Sequence, residues 1–381
     1  MVGIVEELIS IAIRKKIVDR LAFVKRTFKS DLDIKNLNEQ ESIVNNQNPY
    51  VNLDIFFQID DYINSKKQKV CKDMPRIYRN MKEHLKAFET FRNQAITFDC
   101  LNHDFYEDFV EFLSGHYIQK HLKDPVVGLK INTVGKTIKQ FRTFIRNRIR
   151  KKIIPSVDLE GWNILEEEVD AVYCNWKEVN LIYNADLKDY PHLEEYRNDF
   201  VVACLTGLRF SDFSKLEEHD LRDDMLYKKQ KKSNHWVVIP LRPEAKEILE
   251  NRFCKNLKPL TNAEFNRHIK TIAKLAGITN LIKHSYKKSN NVVEEIKCKY
   301  EWITSHTCRR SFCTNEFLAG TPVELIMKIS GHKSVKDFYK YIRISPEEAG
   351  HKIRMIWQQR GESSVLKKAS QKILQTNTIN L

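Results

Sequence analysis

A mainly α-helical protein with a small β-sheet, an α+β fold in two domains, is what this sequence predicts. Its 381 residues exceed one ordinary domain of roughly 100–200 residues. Hydrophobic residues make up 42 %, enough for real cores, while Gly (11) and Pro (10) are too scarce for a sandwich or a linker-rich chain. Apolar residues recur at helical spacing through the first 150 positions, and a strand pair turned at Ser233-Asn234 interrupts the helices later.

Residues 1–28 read as a helix, with Ile4, Val5, Leu8, Ala12 and Leu21 near a 3.6-residue period. Residues 35–52 read as an Asn- and Gln-rich loop. Four helices follow. The first spans Leu53–Lys69. The second opens at Pro75, a good first helical position, and repeats Tyr78, Met81, Leu85 and Phe88. The third opens after Asn102 with Phe105, Phe109 and Phe112. The fourth runs from about Thr133 to Arg150, with an apolar stripe of Val134, Ile138, Phe141 and Ile145. Lys139, Arg142, Arg146 and Arg150 form a second stripe at i+3 and i+4 steps. Residues 131–152 hold eight basic residues and no acid. A merely solvated face would mix in Glu, so this stripe is expected to contact DNA phosphates, which position a protein without reading sequence.

Pro155, Ser156 and Gly161 break structure and Glu166-Glu167-Glu168 is an acidic block, so residues 155–174 read as a linker. Asn175 with Glu178 resembles a capping box that starts the second domain. There a helix ends at Gly207, and Met225–Lys229 pairs with His235–Leu241 as a hairpin. Asn262–Ala276 is a helix stopped by Gly277, and Thr307–Ala319 one stopped by Gly320. Thr321-Pro322-Val323-Glu324, Ser334 with Asp337, and Ser345-Pro346-Glu347-Glu348 each start a further helix. The amphipathic segment Val365–Leu374 packs either within the chain or on a neighbouring protomer.

No 18-residue apolar stretch exists, and no small-residue cleavage site follows the apolar residues at 8–13, so neither a membrane span nor a signal peptide is expected. The eight cysteines stand singly, which fits a reducing cytoplasm and argues against a zinc ribbon. Cys308 and Cys313, just after His306, lack the paired spacing of a structural metal site. Lys and Arg exceed Asp and Glu by 14. That balance suits a polyanion, most often nucleic acid, although a Lys- and Asn-rich composition alone also produces it.

Several short pieces of the second domain then fall in a telling order. Thr206-Gly207-Leu208-Arg209-Phe210-Ser211-Asp212 sets Arg209 after a Gly turn at the mouth of a helix. The hairpin offers Lys232. Ser305-His306-Thr307-Cys308-Arg309-Arg310 contains an HxxR, which puts His306 and Arg309 on one helix face. Gly331-His332 precedes Tyr341. Each piece alone is common, since 12 His and 21 Arg in 381 residues give roughly 0.7 chance HxxR matches. Together, six positions in this order and spacing resemble the tyrosine recombinases, the phage-integrase family, in its mobile-element type. The resemblance covers about residues 175–350 well and the N-terminal helical domain more weakly.

The resemblance implies a helical core-binding, SAM-like DNA-binding domain at 51–154, preceded by an N-terminal helix and loop at 1–50. After the linker at 155–174 it implies a catalytic recombinase domain with a C-terminal tail at 175–381. The two domains would close as a clamp around DNA. Arg209 and Arg309 would grip the non-bridging oxygens of a phosphodiester, and His332 would add a hydrogen bond. Tyr341 would be the nucleophile of a covalent 3′-phosphotyrosine link, His306 would accept its proton, and Lys232 would protonate the leaving oxygen. Arg310 and Lys333 would contact phosphates, and Asp212 would pair locally. No ATP, metal or other cofactor is called for, because the bond energy stays in the protein–DNA link. The family works as a tetramer of protomers on two double-stranded DNA sites, here expected in a bacterial cytoplasm for integration or excision of a mobile element. Two other classes stay open. A type IB topoisomerase shares the covalent chemistry but relaxes DNA without partner exchange, and a non-catalytic DNA-binding protein could keep the fold.

Tyr339 and Tyr341 both lie near His332. If the helix starting after Ser334 runs through both, they point about 200° apart. Tyr339 then joins an apolar stripe with Val335, Phe338 and Ile342, while Tyr341 is free to face DNA.

Overall fold

The computed structural model describes residues 52–360, except 72, 120–123, 256–259 and 289–290, together with eight positions between 5 and 28. Val5, Leu8 and Leu21 among those positions are helical. The rest of the helix and loop expected before residue 52, and the segment Val365–Leu374, lie outside the described residues. The chain divides into two units, residues 1–166 and 167–381.

The first unit is helical. It contains α1 (Ile55–Lys66), α2 (Met74–Arg92), α3 (His103–Glu111), a two-residue strand pair β1 (Ile118–Gln119) and β2 (Val126–Val127), and α4 (Ile131–Arg150). Side chains cap two of the starts: Asp54 accepts from Phe57 N–H and Asn102 from Phe105 N–H. Each such cap is worth about 1 kcal/mol. Pro75 sits in the first turn of α2, where its missing N–H is harmless. The core is aromatic, with Phe88, Phe105, Phe109, Phe141, Phe144 and Trp162 buried together. Trp162 belongs to the segment 155–174 that reads as a linker. Its ring stacks on Phe105 and Tyr106, and Leu159 is buried beside it. Past Trp162 the chain crosses α4 at Gly135, where an added Cβ would lie 1.8 Å from the Leu165 carbonyl oxygen. This close approach accounts for a glycine in a helix interior, which otherwise costs about 1 kcal/mol relative to Ala.

The second unit opens with α5 (Trp176–Tyr183), started by the reciprocal Asn175–Glu178 capping box. Upstream, Val172 and Cys174 are already in its core, so the acidic stretch leads straight into packed structure. The central helix α6 (Glu194–Thr206) is buried nearly all round and packs on α11 (Ser305–Ala319). Between them come the short α7 (Phe210–Phe213), strands β3 (Leu221–Arg222), β4 (Met225–Lys229) and β5 (Trp236–Pro240), helices α8 (Pro243–Phe253) and α9 (Asn262–Leu275), strands β6 (Leu281–Lys288) and β7 (Asn291–Cys298), and α10 (Lys299–Trp302). The last described elements are α12 (Val323–Ser330), α13 (Val335–Tyr339) and α14 (Pro346–Arg360). β3, β4 and β5 form an antiparallel sheet that buries Leu226, Val237 and Ile239 against the helices.

The β6–β7 hairpin, with eight residues in each strand, is absent from the elements the sequence predicts. Its apolar residues are interleaved with Lys and Glu, and Leu281, Val292 and Ile296 are exposed, so neither face shows a clean period of two. Asp170 accepts from Ser285 N–H and Glu167 from Lys287 N–H, so part of the acidic block satisfies this hairpin's outer edge. Among the described residues, no helix is long and apolar enough to cross a membrane. All eight cysteines are free thiols.

Candidate functional site

The second unit gathers its cations where α6 ends. Gly207 closes that helix in the left-handed region, φ +67°, and a Cβ there would lie 2.5 Å from the Phe312 ring. Two residues on, Arg209 is the extended N-cap of α7. Its Nη1 donates to the Gln230 Oε1 at 2.7 Å. Arg309, on the first turns of α11, is 0 % exposed. Its Nη1 donates to the Gly207 carbonyl at 2.9 Å, and its Nη2 lies 3.1 Å from the His332 Nε2. Burial and then the positive field of Arg209 push the Arg309 pKa down. Among the described residues neither arginine forms an ion pair, and the buried Arg309 Nε finds no acceptor. Burying a cation beside another without a carboxylate is unfavourable. The arrangement suits an anion that takes hydrogen bonds from both guanidiniums.

Hydrogen bonding assigns the state of His332. A guanidinium can only donate, so His332 Nε2 is the acceptor. Nδ1 then carries the proton and donates to the Ser330 Oγ at 2.8 Å, and that hydroxyl donates to the Ile326 carbonyl. Burial, Arg309 and Arg209 push the His332 pKa down to about 3, so the ring is neutral. In this structure its Nε2 is engaged by Arg309.

Tyr341 packs against both of these groups. Its ring centroid is 4.7 Å from that of His332 and 5.4 Å from the Arg309 Cζ. The helical-wheel expectation for the two tyrosines is corrected by the structure. α13 ends at Tyr339, and Tyr341 N–H bonds the Phe338 carbonyl in a turn beyond it, so 100° steps do not reach Tyr341. Tyr339 is half exposed rather than part of a packed stripe, and Val335 is exposed as well. Tyr341 is the half-buried one, turned toward the arginine.

His306 keeps an exposed edge at the start of α11. Loss of water contact, then Arg310, Arg309, Lys232 and Arg209, lower its pKa. Lys232 is exposed in the turn joining β4 to β5, close enough to contribute to that field. Asp212 is buried, and its Oδ1 accepts from Lys231 N–H at 2.9 Å, so it holds the turn beside Lys232. Arg310 is half-buried, with its pKa lowered by desolvation and then Arg343, while Lys333 is exposed. Gln230 and Ser330, both fully buried at this site, belong to no motif read from the sequence.

In the first unit the stripe on α4 is only partly as expected. Lys139, Arg146 and Arg150 are exposed. Arg142 is not: one Nη donates to the Trp162 carbonyl, and its Nε is buried. Lys136 takes its place on the exposed face, three residues before Lys139, a step the sequence already contains. Arg148, also among the eight basic residues, is fully buried and paired with Asp61 and Gln58.

Among the described residues no three His, Cys, Asp or Glu side chains come together as a metal site. Cys308 and Cys313 are buried, whereas His306 faces outward.

Comparison with known proteins finds relatives for both units. Residues 54–164 match the phage integrase SAM-like domain, and residues 174–348 match the phage integrase family. The tyrosine recombinase XerD of Staphylococcus saprophyticus is 23 % identical over 254 residues, 63 % of this chain and 81 % of that protein. A lambda integrase (75–356) dimer bound to a COC′ core site aligns with a TM-score of 0.55 at 16 % identity, over 77 % of this chain and 96 % of that one. The Tn1549 transposon integrase in complex with a circular intermediate DNA aligns at 0.54 and 14 % identity, over 80 % of this chain and all of that one. The chain belongs to the phage integrase family, the tyrosine recombinases.

Proposed function

We propose that this protein is a site-specific DNA recombinase that cuts and rejoins strands through a covalent 3′-phosphotyrosine at Tyr341, in the integration or excision of a mobile element. The observation that carries this reading is the buried Arg309 guanidinium. It lies against the Tyr341 ring and beside Arg209, with His332 as the acceptor that aims it.

In the proposed reaction the Tyr341 oxygen attacks phosphorus, and the bond from phosphorus to the 5′ oxygen breaks. The Tyr341 proton passes to His306, which its cationic neighbours keep neutral and able to accept. Negative charge growing on the non-bridging oxygens is met by Arg209 and Arg309, already fixed by hydrogen bonds, so little reorganisation is needed at the transition state. Lys232 donates a proton to the departing 5′ oxygen. Rejoining reverses each step with a new 5′ hydroxyl. Arg310 and Lys333 serve as phosphate contacts near this centre. Lys136, Lys139, Arg146 and Arg150 form a second phosphate-binding face on the first unit. The partner is double-stranded DNA, bound by several protomers. Related chains support that assembly, since one lambda integrase structure is a tetramer bound to a Holliday junction.

The test is a nicked duplex carrying the element's junction, on which religation is blocked. Wild-type protein is expected to accumulate a covalent adduct that maps to Tyr341. Relaxation of supercoiled DNA lacking any junction, without strand exchange between junctions, would instead support a topoisomerase.

A further inference from the structure

A closed circuit of hydrogen bonds links the two arginines, and two of its members, Gln230 and Ser330, have no place in the motifs. From Arg209 Nη1 it runs to Gln230 Oε1 (2.7 Å), and from Gln230 Nε2 to the Ser330 carbonyl (2.9 Å). Ser330 Oγ meets His332 Nδ1, His332 Nε2 meets Arg309, and Arg309 Nη1 returns to the carbonyl of Gly207, two residues before Arg209. Gln230 also accepts from Ser233 Oγ at 2.9 Å, in the turn that carries Lys232. Its side chain is 0 % exposed.

The chemistry of each contact fixes the amide. Oε1 faces two donors, a guanidinium and a hydroxyl, and Nε2 faces a carbonyl, so the flipped orientation would break all three bonds. The neighbouring backbone is shaped to it as well. Gly331 has φ +72°, and a Cβ there would lie 2.4 Å from the Gln230 Oε1. The glycine before His332 is thus needed both for its conformation and for this close approach.

We infer that Gln230 is a positioning residue that sets the spacing of Arg209 and Arg309 and seats the Lys232 turn. It acts through Arg209, Ser233 and the Ser330–His332 segment rather than on DNA, and the inference rests on the recombinase reading. A neutral amide fits this place better than a carboxylate. It accepts from Arg209 without cancelling the charge that a phosphate would use, and it still has a donor for Ser330.

Full-length protein carrying Gln230→Met keeps nearly the same volume without the polar atoms. Single-turnover adduct formation on the nicked substrate is expected to fall on the order of 10- to 100-fold at saturating DNA, the scale for losing a partner that orients a charged group. Half-saturation should stay within about twofold, because ground-state binding is left intact. Should Gln230→Met fail to fold, Gln230→Glu keeps the volume and an acceptor for Arg209, but it loses the donor to Ser330 and sets a negative charge against the guanidinium. Its maximal rate should fall by about tenfold or more with half-saturation within about twofold, because a hydrogen bond is lost and part of the Arg209 charge is cancelled. Maximal rates equal to wild type, or a loss seen only as weaker DNA binding, would overturn the positioning role. Wild-type protein that forms no adduct on any junction would overturn the recombinase reading instead.

Discussion

On α4 the cations Lys136, Lys139, Arg146 and Arg150 reach into solvent above an apolar face, whereas at the end of α6 Arg309 is fully buried and Arg209 is tethered to a buried amide. The solvated side chains keep their rotamer freedom and are screened by salt, so each adds a small, interchangeable increment to affinity. The tethered pair has lost that freedom during folding, and burial followed by the field of Arg209 lowers the charge tolerance of Arg309. Such a site favours whatever anion develops the most charge between the two arginines, which for a phosphodiester is the transition state. The contrast therefore separates binding from chemistry within one chain, and each half can be tested alone.

The sharpest test removes the proposed nucleophile. Tyr341→Phe is expected to abolish the covalent adduct while DNA affinity stays within about twofold, since only a group used in the chemical step is lost. Tyr339→Phe removes a hydroxyl from an exposed ring and should leave adduct formation largely intact. An adduct peptide mapped to Tyr339 would break the assignment.

Next in size is the proposed proton donor. Lys232→Ala should slow cleavage by about 10²–10⁴-fold, the range for general acid catalysis. A substrate whose bridging 5′ oxygen is replaced by sulfur releases a stable thiolate without a proton. The variant should recover most of its rate on it. No recovery would move the acid role to another side chain.

Arg309→Ala should raise the barrier by about 3 kcal/mol, the scale for losing a preorganised charge-stabilising donor. Activity within about threefold of wild type would take Arg309 out of the chemistry. Adduct formation should also persist in EDTA, because the charge is met by arginines. Loss in EDTA with recovery on adding magnesium would show that they do not suffice.

The α4 face predicts a smaller and different effect. Replacing Lys139, Arg146 and Arg150 by Gln should flatten the dependence of log affinity on log salt by about 0.9 for each lost contact, with the maximal cleavage rate unchanged. Arg142→Gln belongs to the other class, because it releases the Trp162 carbonyl and should lower thermal stability more than the salt slope. Equal salt-slope changes for Arg142 and Arg146 would erase that distinction.

The helical plan, the β4–β5 hairpin and the family order of Arg209, Lys232, His306, Arg309, His332 and Tyr341 were legible because each piece has a local signature. These signatures are a glycine stop, a cap, or a fixed spacing along a helix. What was not legible depends on packing between distant segments. Arg142, Arg146 and Arg148 look alike in the sequence. Only the Trp162 carbonyl and Asp61 divide them into tethered, free and buried. Gln230 carries no motif because two of its partners, Arg209 and Ser330, lie 21 and 100 residues away. The wheel drawn through Tyr341 failed for a local reason, since a helix of only five residues ends before it.

The smallest expected effect is on acid stability, and His332 sets its sign. The ring titrates near 6.5 when unfolded and about 3 when folded, held down by burial, Arg309 and Arg209 and opposed by Asp337. Between those values the unfolded chain binds a proton that the folded one refuses. The stabilisation from keeping His332 neutral is therefore complete above about pH 6.5 and is lost as pH falls toward 3. From pH 6.5 to 5 the share of this one residue should be about 1 kcal/mol, roughly half the full slope because the ring is partly exposed. His332→Asn, neutral at every pH, should lose less stability than wild type over that span in urea or thermal unfolding. A bound phosphate opposes the field of the two arginines, so saturating DNA should narrow the difference between the two proteins. That narrowing would tie the acid sensitivity to the same anion site, because DNA held only on the α4 face would leave the His332 environment as it was. Identical pH curves for wild type and variant would place the responsible proton elsewhere, with His306 the next group whose pKa the same arginines lower.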